Sequence, residues 1–443
     1  MTIKTPWIAG HRGGANIYPE HCLEGYKATS NSGYLPEIDL RKLADGKFAV
    51  IHDETVTRTM IGVTGAVSSL TSAQFKRGKV KNPIPGGDYG TPLLWDEVLD
   101  EFGGRTLLVE AKNASEAAEI IETINARGLQ GSIILSSFDY NSAALIADAG
   151  LVSLYLVQGS VAQTPAQIKA AGIEYIGISR GTAQSSFDAF KAAGLKMATW
   201  TVEDPIQGDF DHDRGAVGLI SDDPWYVSGQ SRKLTADPYA KRFAYPGWQE
   251  GVTAADVADG NTGRLWSFQD AARGKISVKR NPVGSRTRSL TQTWAGVING
   301  DFKIRATFDY GSNCSSDTRW LGMFVGCGKG KAVVGPDAVW RDESSPTVSQ
   351  QYGYGVLWRR NGQMSIYRND NGAPLLLGSI ETTPVGSGGR RKVEFKRVGN
   401  TFTATDLASG TKLVVASGTY GGDQFFALAA NGTSGFVSGV SVS

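Results

Sequence analysis

Between residues 7 and about 227, short apolar runs alternate with longer stretches of helical periodicity, the rhythm of parallel strands joined by helices. The strand candidates are WIAGHRG, PEIDLR, FAVIHD, TLLVEAK, SIILSSF, VSLYLV, EYIGIS, KMATWTV and VGLISDD. Several are unbroken, β-rich apolar runs, as strands covered on both faces require. Between them, SEAAEIIETINARG, FDYNSAALIADAG, TPAQIKAAG and SSFDAFKAAG are amphipathic, and each closes on glycine, which accepts the left-handed backbone of a helix end. Roughly eight strand–helix units in about 220 residues predict an α/β architecture, a closed (β/α)8 TIM barrel over residues 1–230, rather than an open sheet.

After Trp225 the pattern changes. Residues 231–250 read as a linker, and residues 251–443 as strands and turns with few helical patterns. VLWRRNGQMSIYR and FKRVGNTFTAT place NG and GN turns between near-alternating flanks, the mark of antiparallel hairpins. The expected second domain is an all-β, jelly-roll-like sandwich. Trp320, Tyr352, Tyr354, Trp358 and Tyr367 stand at alternating strand positions, where core packing is the commoner fate and stacking on sugar rings the functional alternative. The RRK run at 390–392 reads as a charged strand entrance.

Composition narrows the function classes. A chain of 443 residues exceeds what one hydrophobic core usually supports, and a net charge of +2 gives no electrostatic support to nucleic-acid binding. No apolar run reaches the roughly 18 residues of a membrane span. MTIKTPWIAGHRGG arrives at its first strand without the apolar stretch of a secretory signal, which predicts synthesis in the cytosol and release, if any, by another route such as lysis. Three cysteines make no disulfide framework and no zinc spacing. Cys314 and Cys327 could meet across a hairpin, with buried thiols the commoner outcome, and Cys22 reads as core packing at a helix start.

The chemistry lies in the first half. The chain has only four histidines, and His11 and His52 end strand-like runs on either side of the acidic LPEIDLR. Cleaving a phosphodiester needs charge stabilisation on the non-bridging oxygens, a base for the attacking oxygen and an acid for the departing alkoxide. Glu37 and Asp39, two apart on a strand, point to one face and are credible co-ligands of a hard cation together with Glu110. Lys112 bears the same relation to Glu110, which places a positive charge where a phosphate oxygen would lie, and Arg12 adds a second donor. His212, among the aspartates of DFDHDRG, invites a metal reading, but a solvated acidic loop is the more common meaning of such a run.

HRGG at 11–14, PEH at 19–21, EID at 37–39, DGKFAVIHDETVTRT at 45–59, TPLLWDEVL at 91–99, VEAK at 109–112, SSFD at 136–139, TWTV at 199–202 and GLISDDP at 218–224 resemble the ordered motif series of the glycerophosphodiester phosphodiesterase family. The resemblance covers about half of the chain. It implies a TIM barrel, one divalent metal ion, Ca²⁺ or Mg²⁺, held by Glu37, Asp39 and Glu110, and His11 with His52 as the acid–base pair. By the same resemblance Arg12 and Lys112 contact phosphate, while Glu20 and Trp200 line the site. Which histidine is the acid stays open. His21 departs from the asparagine that the resemblance implies, although an imidazole there can still donate a hydrogen bond. The second domain resembles concanavalin-like or laminin-G-like sandwiches in strand rhythm alone.

The expectation is a metal-dependent hydrolase of glycerophosphodiester bonds. Its barrel would act on a glycerol-phosphate polymer such as teichoic acid, and its sandwich would bind glycan, attach to other tail proteins or form a homo-oligomer contact. That pairing suits a phage tail component located in the virion. A cytosolic enzyme of small glycerophosphodiesters, and a receptor-binding virion protein with an inactive barrel, are the alternatives.

Overall fold

The computed structural model describes residues 3–230, except 16, 82–87, 160, 180 and 203–204, and in the second half residues 267–270, 275–278, 290–310, 320–326, 352–370, 373–386, 388–422, 424–431 and 435–443. The chain divides at Gln230 into two compact units.

The first unit contains β1 (Trp7–Gly10), β2 (Leu35–Lys42), β3 (Phe48–Val50), β4 (Met60–Ile61), β5 (Lys79–Val80), β6 (Leu107–Glu110), β7 (Ile133–Ser137), β8 (Val152–Val157), β9 (Tyr175–Ser179), β10 (Lys196–Trp200) and β11 (Ala216–Ser221). Eight of these run parallel in the order β1, β11, β10, β9, β8, β7, β6, β2, and the pairing of β1 with β2 closes the ring as a TIM barrel. The expected strand FAVIHD is not one of the eight. It forms β3, which pairs antiparallel to the outer end of β2 through Leu40–Val50, Arg41–Ala49 and Lys42–Phe48. Its apolar run satisfies burial equally well at a hairpin edge, so periodicity alone could not separate the two.

The four helices expected from periodicity form at Ala114–Ala126, Tyr140–Asp148, Pro165–Ala170 and Gln184–Ala192. Three have side-chain caps, Asn113, Asp139 and Thr164, that accept from backbone N–H groups otherwise unpaired in a first turn. Their apolar stripes cover the barrel wall. Ile120, Ile124, Ile133 and Leu135 share one core cluster, and Ile168, Ile176, Phe187 and Met197 another. Cys22 caps the helix Leu23–Asn31 through Sγ, fully buried, and burial pushes its thiol up to about 12, so it packs rather than reacts.

The second unit has a seven-stranded and a six-stranded antiparallel sheet. Ile304, Phe308, Phe395 and Phe402 of the first share one core with Met323, Val356, Trp358 and Ile366 of the second, the packing of a β-sandwich. Both expected hairpins are present, Tyr352–Arg359 with Gln363–Asp370 and Arg390–Val398 with Thr401–Asp406. Of the five aromatics, Trp320, Tyr354, Trp358 and Tyr367 are buried, the packing outcome. Arg391 corrects the reading of RRK as a mere entrance: its side chain is buried, paired with Asp406 and donating to Thr383 O at 2.6 Å. The linker 231–250 and the Cys314–Cys327 pair lie outside the described residues.

Candidate active site

Four neighbouring strands build one sector of the barrel's C-terminal rim. Along β11, β1, β2 and β6, registers pair Gly10 with Ser221, Gly10 with Pro36, and Asp39 with Glu110. Residues at or just beyond these strand ends therefore meet, which is where barrels of this kind gather reactive groups. Glu37, Asp39 and Glu110 are buried, each offering an oxygen within 4.8 Å of the others. Among the described residues they are the one group of three or more potential ligands this close, and neither His212 nor its aspartates form another. His212 lies on the helix Pro205–Asp213, not in a loop, and its ring faces Ala216 O at 2.8 Å.

Three buried carboxylates cannot all carry charge cheaply. Burial and the charge of Asp39 push Glu110 up to about 8, and the same causes raise Glu37. Burial opposes ionisation of Asp39 too, but the Lys112 ammonium and the His21 hydrogen bond outweigh it and hold Asp39 well below its usual range. Lys112 reaches into the cluster, with Nζ donating to Asp39 and to Glu110 Oε1 at 2.6 Å. It is thus the carboxylates' counter-charge in this structure rather than a free phosphate donor. The donor set fits a hard divalent cation: all-oxygen, anionic, buried, and under mutual repulsion that such an ion relieves.

Each of the two histidines expected to move protons has an aspartate at Nδ1. His11 faces Asp222 Oδ1 at 2.6 Å and His52 faces Asp53 Oδ1 at 2.8 Å. Their surroundings differ. For His11, burial favours the neutral ring, but the charge and hydrogen bond of Asp222 outweigh it and raise the group to about 9. For His52, burial dominates and lowers it below 6.5.

The arrangement can be set beside known proteins. Residues 11–225 match the glycerophosphoryl diester phosphodiesterase family. The chain belongs, through its barrel, to that family. A glycerophosphodiester phosphodiesterase of Bacillus altitudinis is 31% identical over 149 residues, 31% of this chain and 60% of that protein. Another, of Caldanaerobacter subterraneus subsp. tengcongensis, is 26% identical over 244 residues, 52% of this chain and 99% of its own length. Among solved structures, a glycerophosphoryl diester phosphodiesterase of Agrobacterium tumefaciens C58 is 25% identical with a TM-score of 0.46, over 51% of this chain and 96% of that one. The residues that match the family are those of the barrel.

The remaining expected residues of this phosphodiesterase barrel lie around that centre. The Arg12 backbone N–H donates to Glu37 Oε2 at 2.7 Å, and its Nη1 donates to Glu20 Oε2 at 2.9 Å. Arg12 Nε has no hydrogen-bond partner and lies 3.8 Å from Asp39 Oδ2, a buried donor free for an anion. Arg12 and His21 both hold non-glycine left-handed angles, φ 51° and 54°, and the His21 N–H closes this loop on Arg12 O at 2.8 Å. His21 Nε2 faces Asp39 Oδ2 at 2.9 Å and Nδ1 faces the Tyr26 hydroxyl at 2.6 Å. Against a carboxylate, Nε2 carries the proton and Nδ1 accepts from tyrosine, so the imidazole does what an amide would do there. Trp200 ends β10 and meets Phe138, just past β7, edge to face at 5.6 Å, on the two strands that flank the acidic sector, β10 beside β11 and β7 beside β6. Sequence reading did not single out Asp222 or Arg58. Both stand inside quoted motifs, GLISDDP and DETVTRT, but only the closed ring brings Asp222 to a residue 211 positions earlier.

Proposed function

We propose that the barrel hydrolyses glycerophosphodiester bonds with His11 as general acid and His52 as general base, assisted by one divalent cation at Glu37, Asp39 and Glu110. The observation that carries this reading is the pair of unequal histidine–aspartate couples beside one acidic cluster. Asp222 keeps His11 protonated at neutral pH, so its Nε2–H can pass a proton to the departing alkoxide. His52, neutral and with its Nδ1–H on Asp53, presents an Nε2 lone pair that can take a proton from water or from the glycerol hydroxyl. When bound, a Ca²⁺ or Mg²⁺ ion would neutralise charge on the phosphate oxygens. Arg12 Nε supplies a further donor to the same oxygens, and Glu20 holds its guanidinium in place. Trp200 and Phe138 offer an apolar wall to the alcohol.

We further propose that the natural substrate is a glycerol-phosphate polymer of the teichoic acid kind, and that the chain is a virion protein of a phage tail whose sandwich holds it on the envelope. Support comes from the joining of a phosphodiesterase barrel to a second, all-β unit of comparable size. Turnover of a polyglycerol-phosphate polymer against glycerophosphocholine, with and without chelator, tests the reading. Preference for the small diester would favour a cytosolic enzyme, and no turnover of either with Ca²⁺ or Mg²⁺ present would reject hydrolysis.

A further inference from the structure

We propose that Arg58 is a positioning residue for the proton-transfer step, fixing through Asp53 which nitrogen of His52 carries the hydrogen. The guanidinium sits side-on against Asp53, with Nε to Oδ2 at 2.6 Å and Nη2 to Oδ1 at 2.9 Å. Its outer edge grips Glu20, with Nη1 to Oε1 at 2.5 Å and Nη2 to Oε2 at 2.9 Å, and Glu20 is itself tied to Arg12. The result is a chain, Arg12, Glu20, Arg58, Asp53, His52, in which every link is a charge-assisted hydrogen bond.

The geometry fixes what each link does. Asp53 is bonded to two side chains, the His52 ring and Arg58. A carboxylate neutralised by a bidentate guanidinium stays ionised and can only accept, so the neutral imidazole must place its hydrogen on Nδ1 and leave Nε2 bare toward the site. Arg41 holds the backbone of the same residue, with Nε donating to His52 O at 2.6 Å, but does nothing for the ring. Lysine cannot replace Arg58, because an ammonium is a point charge without a planar fork. The side chain is 48% exposed. Exposed ion pairs contribute little to folding, so a network this complete on a half-exposed arginine is better explained by positioning than by stability.

The proposal rests on His52 being one of the two proton-transfer groups, and its test separates the two claims. With four histidines in the chain, proton–nitrogen NMR of the imidazoles resolves His52 in the full-length protein. In the wild type at pH 7.5, His52 should be a single Nδ1–H tautomer. In Arg58→Ala it should become a mixture richer in Nε2–H, while His21 and His212 keep their signals and report an intact barrel. Arg58→Ala and Arg58→Lys should both lower kcat at least about tenfold, with KM within about threefold of wild type, because a lost tautomer removes base catalysis and not substrate binding. An unchanged His52 tautomer in Arg58→Ala would overturn the proposal, whatever the activity. So would a raised KM at constant kcat, which would make Arg58 a substrate contact. A wild type without turnover would reject the catalytic reading of His52 and leave the tautomer measurement to decide the role of Arg58.

Discussion

Replacing Asp222 by asparagine tests the acid assignment directly. The shift of His11 from 6.5 to about 9 corresponds to about 3 kcal/mol in favour of the imidazolium. At pH 7.5 a group at about 9 is roughly 97% protonated. Without the Asp222 charge, burial outweighs the smaller support that Glu37 gives the imidazolium, and His11 falls below 6.5, leaving at most about 9% in the acid form. Loss of protonation alone therefore costs about tenfold in kcat, and loss of ring orientation brings the expected fall to between about 10- and 100-fold. The alkaline limb of the rate profile should move from near 9 to below 6.5. The decisive assay compares glycerophosphocholine with a nitrophenyl diester, whose leaving group departs without a proton and should lose less than about threefold. An alkaline limb that does not move, or equal losses on both substrates, would refute the role of His11 as acid.

The same couple sets a pH window for stability. Because the folded value is raised, its contribution is complete below 6.5 and disappears as pH rises through about 9, so the Tm gap between wild type and Asp222→Asn should narrow over that interval. Because Glu110 is pushed up to about 8, loading Ca²⁺ at pH 7 should release protons, seen as calorimetric heats that vary with buffer ionisation enthalpy; Glu110→Gln should reduce that release. Ca²⁺ or Mg²⁺ at 100 times its Kd should stabilise the barrel by about 2.7 kcal/mol, and chelator should reverse this in a melting curve. His21→Asn should retain activity within about threefold, whereas His21→Ala should weaken cation affinity about 10- to 100-fold in a titration, since Asp39 loses the donor that aims it. Arg391→Ala strips Asp406 of its buried partner and should destabilise the sandwich by about 3–5 kcal/mol in denaturant, with barrel kinetics unchanged.

The barrel was legible because its strands are buried on both faces and its helices on one, and those are two distinct periodicities. Glu37 with Asp39 and Glu110 with Lys112 were legible because spacing by two fixes a shared face on a strand. The status of β3 was not, since an apolar run is compatible with a ring strand or a hairpin edge. Lys112 was placed in the right pocket, but its direction depends on charges that sequence spacing does not weigh. Asp222 and Arg58 escaped because their partners are set by ring closure and by loop conformation. Arg391 escaped for the related reason that a cation in a charged run shows its burial only when an opposite charge from another strand, Asp406, is seen to reach it.

Ring closure also orders events during synthesis. The first and last strands of the barrel are neighbours, and His11 directly follows one while Asp222, the group that charges it, directly follows the other. The acidic trio lies on β2 and β6, ahead of β11 in the sequence, whereas the partner of His11 arrives only with the end of the barrel. On the proposed acid role of His11, a barrel truncated before β11 lacks Asp222 and should not turn over glycerophosphodiesters, so activity would report the completed circle.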